Sequence, residues 1–223
     1  MKTTRHYNER EVFFAIAELE PELRAAAHDL AYSEVNGEWV DSYPRNAPHI
    51  ERIYQTFSQA IGPMLRQAAG LQPVHWESAL DDFLRIVAGE DLDWWLGGSA
   101  ALAVRGLPIT PRDFDIVIDA AGARRLADLL LPALVQPLQA TPDWFCAWFG
   151  RAFLNTRFEW VGAVNERADQ PEPSDFGPAA AARLEVVAWN GHLIRVPPLD
   201  LQLAVSRRRG LKERVRLIEG IQG

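Results

Sequence analysis

The spacing of apolar positions changes partway along the chain. From Ile50 they recur at Ile53, Tyr54, Phe57, Ile61, Met64 and Leu65, which predicts a helix with one buried stripe. An earlier segment, Glu9 to about Ala31, carries Val12, Phe13, Ile16, Leu19, Leu23, Ala27 and Leu30 and is read as helical, with an interruption near Pro21. Asn36-Gly37 and the run Tyr43 to Pro48 are loop signals between the two segments. A third helix is predicted over Trp76 to Val87, ended by Gly89. Residues 1–75 are thus expected to form a helical N-terminal region beside a domain spanning 76–223.

After Glu90 the elements become shorter and more extended. Asp93 to Leu96 is a strand candidate broken by Gly97-Gly98, and Ser99 is placed to cap a helix running to Arg105, with Gly106 as its stop. Phe114 to Ile118 reads as a strand, Ala123 to Val135 as a helix, and Trp144 to Val164 as strand-rich. Asn165 to Pro178 is a polar, proline-rich loop. Leu184 to Trp189 and His192 to Val196, joined by Asn190-Gly191, form the best hairpin signal in the chain. A helix pair divided at Gly210 follows Pro198. The expected class is α+β, a small mixed sheet with helices before and after it.

Composition narrows the setting. The 30 acidic against 23 basic residues give a net charge of −7, which disfavours broad binding to DNA. A single cysteine, Cys146, rules out an intramolecular disulfide. No apolar run approaches the ~18–20 residues of a membrane span, and Met1 to Glu11 is too charged for a signal peptide, so a soluble cytoplasmic protein is expected. Basic residues nevertheless crowd between Arg207 and Arg216, leaving room for a local anion site.

Two local features could carry chemistry. In Arg112-Asp113-Phe114-Asp115-Ile116, strand alternation turns Asp113 and Asp115 to one face, ~6–7 Å apart at their bases, and Phe114 and Ile116 to the other. Two carboxylates aimed at one spot repel unless a cation lies between them, and oxygen ligands suit Mg²⁺. Taken alone, the same pattern also describes a strand entered through a polar turn with both acids solvated. The second feature, Gly97-Gly98-Ser99, lies between a strand and a helix, where backbone N–H groups can approach a phosphate. An ordinary turn capped by Ser99 fits it equally well. The five histidines show no zinc spacing, and neither a Gly-x-Ser-x-Gly elbow nor a Walker-type loop occurs. Trp94, Trp95 and the cluster Trp144, Phe145, Trp148, Phe149 could stack a nucleobase, although aromatics more often fill a core.

Together, Leu96-Gly97-Gly98-Ser99-Ala100-Ala101-Leu102-Ala103 and Thr110-Pro111-Arg112-Asp113-Phe114-Asp115-Ile116 resemble the nucleotidyltransferase superfamily, of polymerase-beta-like fold, and most of all its antibiotic- and toxin-type branches. The resemblance is concentrated in residues 93–119. It implies transfer of a nucleoside monophosphate from an NTP to an acceptor hydroxyl, with release of pyrophosphate. Two Mg²⁺ ions about 4 Å apart would be held by Asp113 and Asp115. The family's third carboxylate falls on Glu159, preferred over Glu185, although the family more often has aspartate there and either glutamate could instead be an outward strand residue paired with Arg157 or Arg183. Gly97, Gly98 and Ser99 would bind phosphates, with Arg112, Lys212 or one of Arg207 to Arg209 adding positive charge. The acceptor would be a small molecule such as an antibiotic, or tRNA or protein. The competing reading is a nucleotide-binding or interaction module that keeps the fold without turnover.

Overall fold

The computed structural model describes residues 1–221. Its N-terminal portion departs from the expectation. Strands β1 (Lys2–Tyr7), β2 (Glu11–Ala17), β3 (Ser33–Val35) and β4 (Glu38–Pro44) form a four-stranded antiparallel sheet in the order β1-β2-β4-β3, and only the short α1 (Arg24–Asp29) is α-helical before residue 50. The helical reading of Glu9 to Ala31 joined two unlike elements. Val12, Phe14, Ala15 and Ile16 are fully buried in β2, paired on both sides, while Leu23, Ala27 and Leu30 belong to the helical turns that follow Pro21. A run of aromatic and β-branched residues between two partner strands loses nothing by extending, and tertiary pairing overrides the incidental spacing. Asn36 and Gly37 both adopt positive φ, 52° and 84°, and make the tight turn between β3 and β4.

Helices α2 (Ile50–Ala68) and α3 (Trp76–Val87) lie where the apolar spacing puts them. Their buried faces, including Phe57, Ile61, Leu80 and Phe83, join one hydrophobic core that continues from Val12 and Phe14 of the first sheet to Phe114, Phe158 and Trp160 of the second. Phe14 packs on Phe57 with ring centroids 5.1 Å apart, and Phe83 stacks on Phe158 at 5.1 Å.

The second sheet is mixed and five-stranded: β5 (Trp94–Leu96), β6 (Asp113–Ile118), β9 (Arg157–Val164), β8 (Cys146–Phe153) and β7 (Gln139–Ala140), in that order. Only β6 and β9 run parallel. Parallel neighbours need a long crossover, here supplied by α5 (Ala120–Leu129) and the β7–β8 segment. α4 (Gly98–Val104) follows β5 directly, and its N-cap is Gly97 with Ser99 one residue inside the helix, so Ser99 is not the cap expected of it. α6 (Pro178–Ala181), the hairpin β10 (Glu185–Trp189) and β11 (His192–Val196), and the helices α7 (Leu199–Arg208) and α8 (Lys212–Gly220) complete an α+β protein. Among the described residues no helix is long and apolar enough to cross a membrane.

Candidate active site

Alternation along β6 buries Phe114 and Ile116 completely, or nearly so, and turns Asp113 and Asp115 to the opposite face. The parallel register sets Asp113 beside Arg157 and Asp115 beside Glu159, and β8 sets Arg151 opposite Glu159. Two acids from β6, one acid and one arginine from β9 and one arginine from β8 thus share one patch of sheet. The turn after β5 closes over it. The Gly97 N–H donates to the Asp115 carbonyl at 2.7 Å, and Gly98, at φ 57°, leaves no space for a Cβ because the Asp115 carboxyl fills it. A glycine is required there both for the backbone angle and for the contact.

Electrostatics divide the three acids. Asp113 accepts a hydrogen bond from Arg157 through Oδ2. Glu159 Oε1 accepts from Arg151 Nε at 2.6 Å and lies 3.6 Å from Arg157 Nε. Burial pushes Glu159 towards its neutral form, but Arg151 and Arg157 outweigh that and hold its carboxyl below the usual range. Arg151 is itself buried, and its Nη1 donates to the Leu30 carbonyl at 3.1 Å and to Gln136 Oε1 at 2.9 Å. Asp115 has no ion-pair partner among the described residues. Solvent reaches it through the cavity mouth, yet protein crowds its other sides. That burial, with the charges of Asp113 and Glu159, pushes it up to about 7.

The expected acidic triad is therefore interleaved with arginines. Among the described residues no three His, Cys, Asp or Glu side chains are arranged to hold a metal ion. The physical reason is that guanidinium groups already neutralise Glu159 and Asp113. Asp115 is the exception. An unpaired carboxylate crowded by two like charges is a donor set that gains from a cation, and Asp113 on the same face can share it.

Asp115 and Glu159 open onto a cavity of about 350 Å³ whose walls also include Gly97, Gly98, Arg209 and Arg214, with Trp144, Phe145, Phe149 and Phe176 on an aromatic side. Neither Arg209 nor Arg214 forms an ion pair among the described residues. Burial lowers the Arg214 pKa first and the neighbouring charge of Arg209 second. Gln202 Nε2 donates to the Gly98 carbonyl at 3.0 Å, fixing the glycine turn, and its Oε1 is buried without a partner. Asp175 lines the same space.

The other sequence candidates lie elsewhere. Lys212 lines a surface depression with Arg207, Arg216 and Glu219 and is not among the residues lining the cavity. Arg112 is exposed, and Ser99 is buried in α4; neither lines the cavity. Glu185 pairs with Arg105 at 2.6 Å on the hairpin. Arg214 escaped sequence reasoning because only the turn at Gly210 brings the first turn of α8 back over the sheet. Arg151 had a visible signal, a lone arginine inside the apolar strand Cys146 to Phe153.

No family model and no curated protein sequence matches this chain. Solved structures similar to it include a candidate nucleotidyltransferase of Thermotoga maritima (18% identity, TM-score 0.49, covering 66% of this chain and 92% of that one). Two others are ANT(2'')-Ia in complex with adenylyl-2''-tobramycin (15%, 0.45, 66% and 88%) and the lincosamide antibiotic adenylyltransferase LnuA with lincomycin bound (14%, 0.47, 65% and 97%).

Proposed function

We propose that this protein is a divalent-cation-dependent nucleotidyltransferase that moves a nucleoside monophosphate from an NTP to an acceptor hydroxyl. The observation that carries the reading is the cavity itself. An unpaired carboxylate, Asp115, and two unpaired arginines, Arg209 and Arg214, line it together with the glycine turn between strand and helix. Such a cavity suits a ligand that is both anionic and metal-bound.

Asp113 and Asp115 would hold Mg²⁺. When bound, the ion supplies charge neutralisation for the triphosphate and acidification of the acceptor hydroxyl. Arg209 and Arg214 receive the polyphosphate, in place of Lys212 and Arg112, and offset the charge that builds on departing pyrophosphate. The backbone of Gly97 and Gly98 borders the phosphates, and Gln202 keeps that turn in place. The acceptor oxygen forms its bond to the α-phosphorus as the bond from that phosphorus to the bridging oxygen breaks. The hydroxyl proton passes to solvent. Most of the rate gain comes from alignment of these partners. An NTP substrate fits a cytoplasmic setting.

The aromatic side of the cavity and Asp175 favour a small acceptor with an apolar body and hydrogen-bond donors over tRNA or a protein chain. Incubation with each labelled NTP, Mg²⁺ and panels of small molecules, tRNA and protein tests this reading. Label should move to a small acceptor, and Asp113→Asn and Asp115→Asn should abolish the transfer. The second reading, a nucleotide-binding module without turnover, draws on the arginine lock around Glu159. It requires nucleotide binding with no pyrophosphate release from any combination.

A further inference from the structure

The arginines around Glu159 have a consequence for how many ions the site takes. Arg157 sits at the register position beside Asp113, bonds its carboxylate, and faces Glu159 at 3.6 Å, so one guanidinium lies between two acids on the same face of the sheet. A guanidinium there supplies, between the two acids, positive charge that a metal cation would otherwise have to supply. Glu159 is not free to leave, because Arg151 holds it from β8 at 2.6 Å and is itself anchored to the Leu30 carbonyl and Gln136. Side-chain exposure is 6% for Arg151, 16% for Arg157 and 19% for Glu159, so water screens these pairs weakly. Formal charge agrees with the geometry. Three carboxylates and two guanidiniums carry one net negative charge, and a single divalent ion brings the cluster to the same charge that two ions would give three carboxylates alone.

We propose that Arg157 is a built-in cation occupying the place of one divalent ion, so that the site binds one ion, held by Asp115 and shared by Asp113, and Glu159 anchors arginines instead of ligating metal. The inference rests on the divalent-ion reading of the site given under Proposed function. It makes Arg157 and Arg151 positioning residues, and it also accounts for glutamate in place of the aspartate expected by resemblance. The longer side chain reaches across the strand pair to the arginines.

Mn²⁺ alone is the probe, titrated into the full-length protein and followed by its electron paramagnetic resonance signal and by calorimetry. The wild type should take up one ion. Asp115→Asn should lose more than about tenfold in affinity. Arg157→Gln, which removes the guanidinium from Asp113 Oδ2 and from one side of Glu159, should take up two ions, whereas Arg157→Lys should stay at one. Glu159→Gln should leave the single ion bound, and this variant keeps the test open if Arg157→Gln fails to fold. Two ions in the wild type, uptake unchanged at one in folded Arg157→Gln, or loss of the ion in Glu159→Gln would each overturn the inference while leaving the divalent-ion reading in place. Absence of Mn²⁺ from both the wild type and Arg157→Gln would overturn both.

Discussion

Asp115 faces a conflict that no other acid of the cluster shares: Asp113 and Glu159 have guanidinium partners, and it has none. Because crowding by the protein and by like charges raises its pKa to about 7, the folded chain binds more protons than the unfolded chain between the ordinary carboxylate range and that value. Stability should therefore fall as pH rises through this window and stay lower above it. At pH 8 without divalent ions, Asp115→Asn should melt about 2–4 °C higher than the wild type, equivalent to about 1 kcal/mol once solvent access is allowed for. Adding Mg²⁺ should stabilise the wild type and leave the variant unmoved. Thermal melts at pH 5 and pH 8 check both halves, and an unchanged or lower melting temperature for the variant at pH 8 contradicts the account. Gly98→Ala presents the complementary case. Its Cβ would meet the Asp115 carboxyl at a positive φ, so a loss of about 1–3 kcal/mol and loss of transfer are expected in melting and turnover assays. At this scale the sequence was informative about Asp113 and Asp115, since strand alternation alone aligns them. The two-residue spacing of Arg157 and Glu159 already offered their pairing, whereas the meeting of Arg151 with Glu159 and of Arg157 with Asp113 depends on the register of β8, β9 and β6.

Among the elements, β9 matters most, because it brings Arg157 and Glu159 to the strand that carries the paired aspartates. Its hold on β8 includes the Arg151–Glu159 pair. Arg151→Met would leave Glu159 buried with one partner fewer, and the expected cost is about 3–5 kcal/mol. The double variant Arg151→Met with Glu159→Leu should recover part of that loss, since removing both charges relieves the uncompensated one. Denaturant unfolding of the two single variants and the double measures the coupling, and simple additivity would argue against a clamp. Strand β2 shows where the chain misleads. Its apolar residues align in helical spacing with Leu19, Leu23 and Leu30, but those later residues belong to the turns after Pro21, and only pairing with β1 and β4 distinguishes the two. By contrast, α2, α3, β6 and the β10–β11 hairpin were legible, each carrying one uninterrupted period or an Asn-Gly turn.

In the whole molecule, the N-terminal sheet and the mixed sheet share one core, and the Leu30 carbonyl reaches the candidate-site patch through Arg151. Deletion of residues 1–48 would expose Phe57 and Ile61 and remove the Leu30 carbonyl that anchors Arg151, so the truncated chain should aggregate more readily than the full chain. Recovery of a soluble, cooperatively melting fragment would show that the two portions are separable. The resemblance pointed to the glycine turn, the paired aspartates and, among Arg207 to Arg209, the Arg209 that lines the cavity; it did not point to Arg214, whose approach depends on the course of α8 after the turn at Gly210. The net charge of the chain likewise does not reveal that two unpaired arginines, Arg209 and Arg214, line this cavity together with Asp115, Glu159 and Asp175. The central claim is that nucleotidyl transfer occurs at Asp115, and it is tested most directly by pyrophosphate release from NTPs in the presence of Mg²⁺ and the acceptor panel, comparing the wild type with folded Asp115→Asn. The account predicts Mg²⁺-dependent release that falls by more than about 10²-fold in the variant; equal release from both proteins, or none from the wild type with any NTP and acceptor, would contradict it.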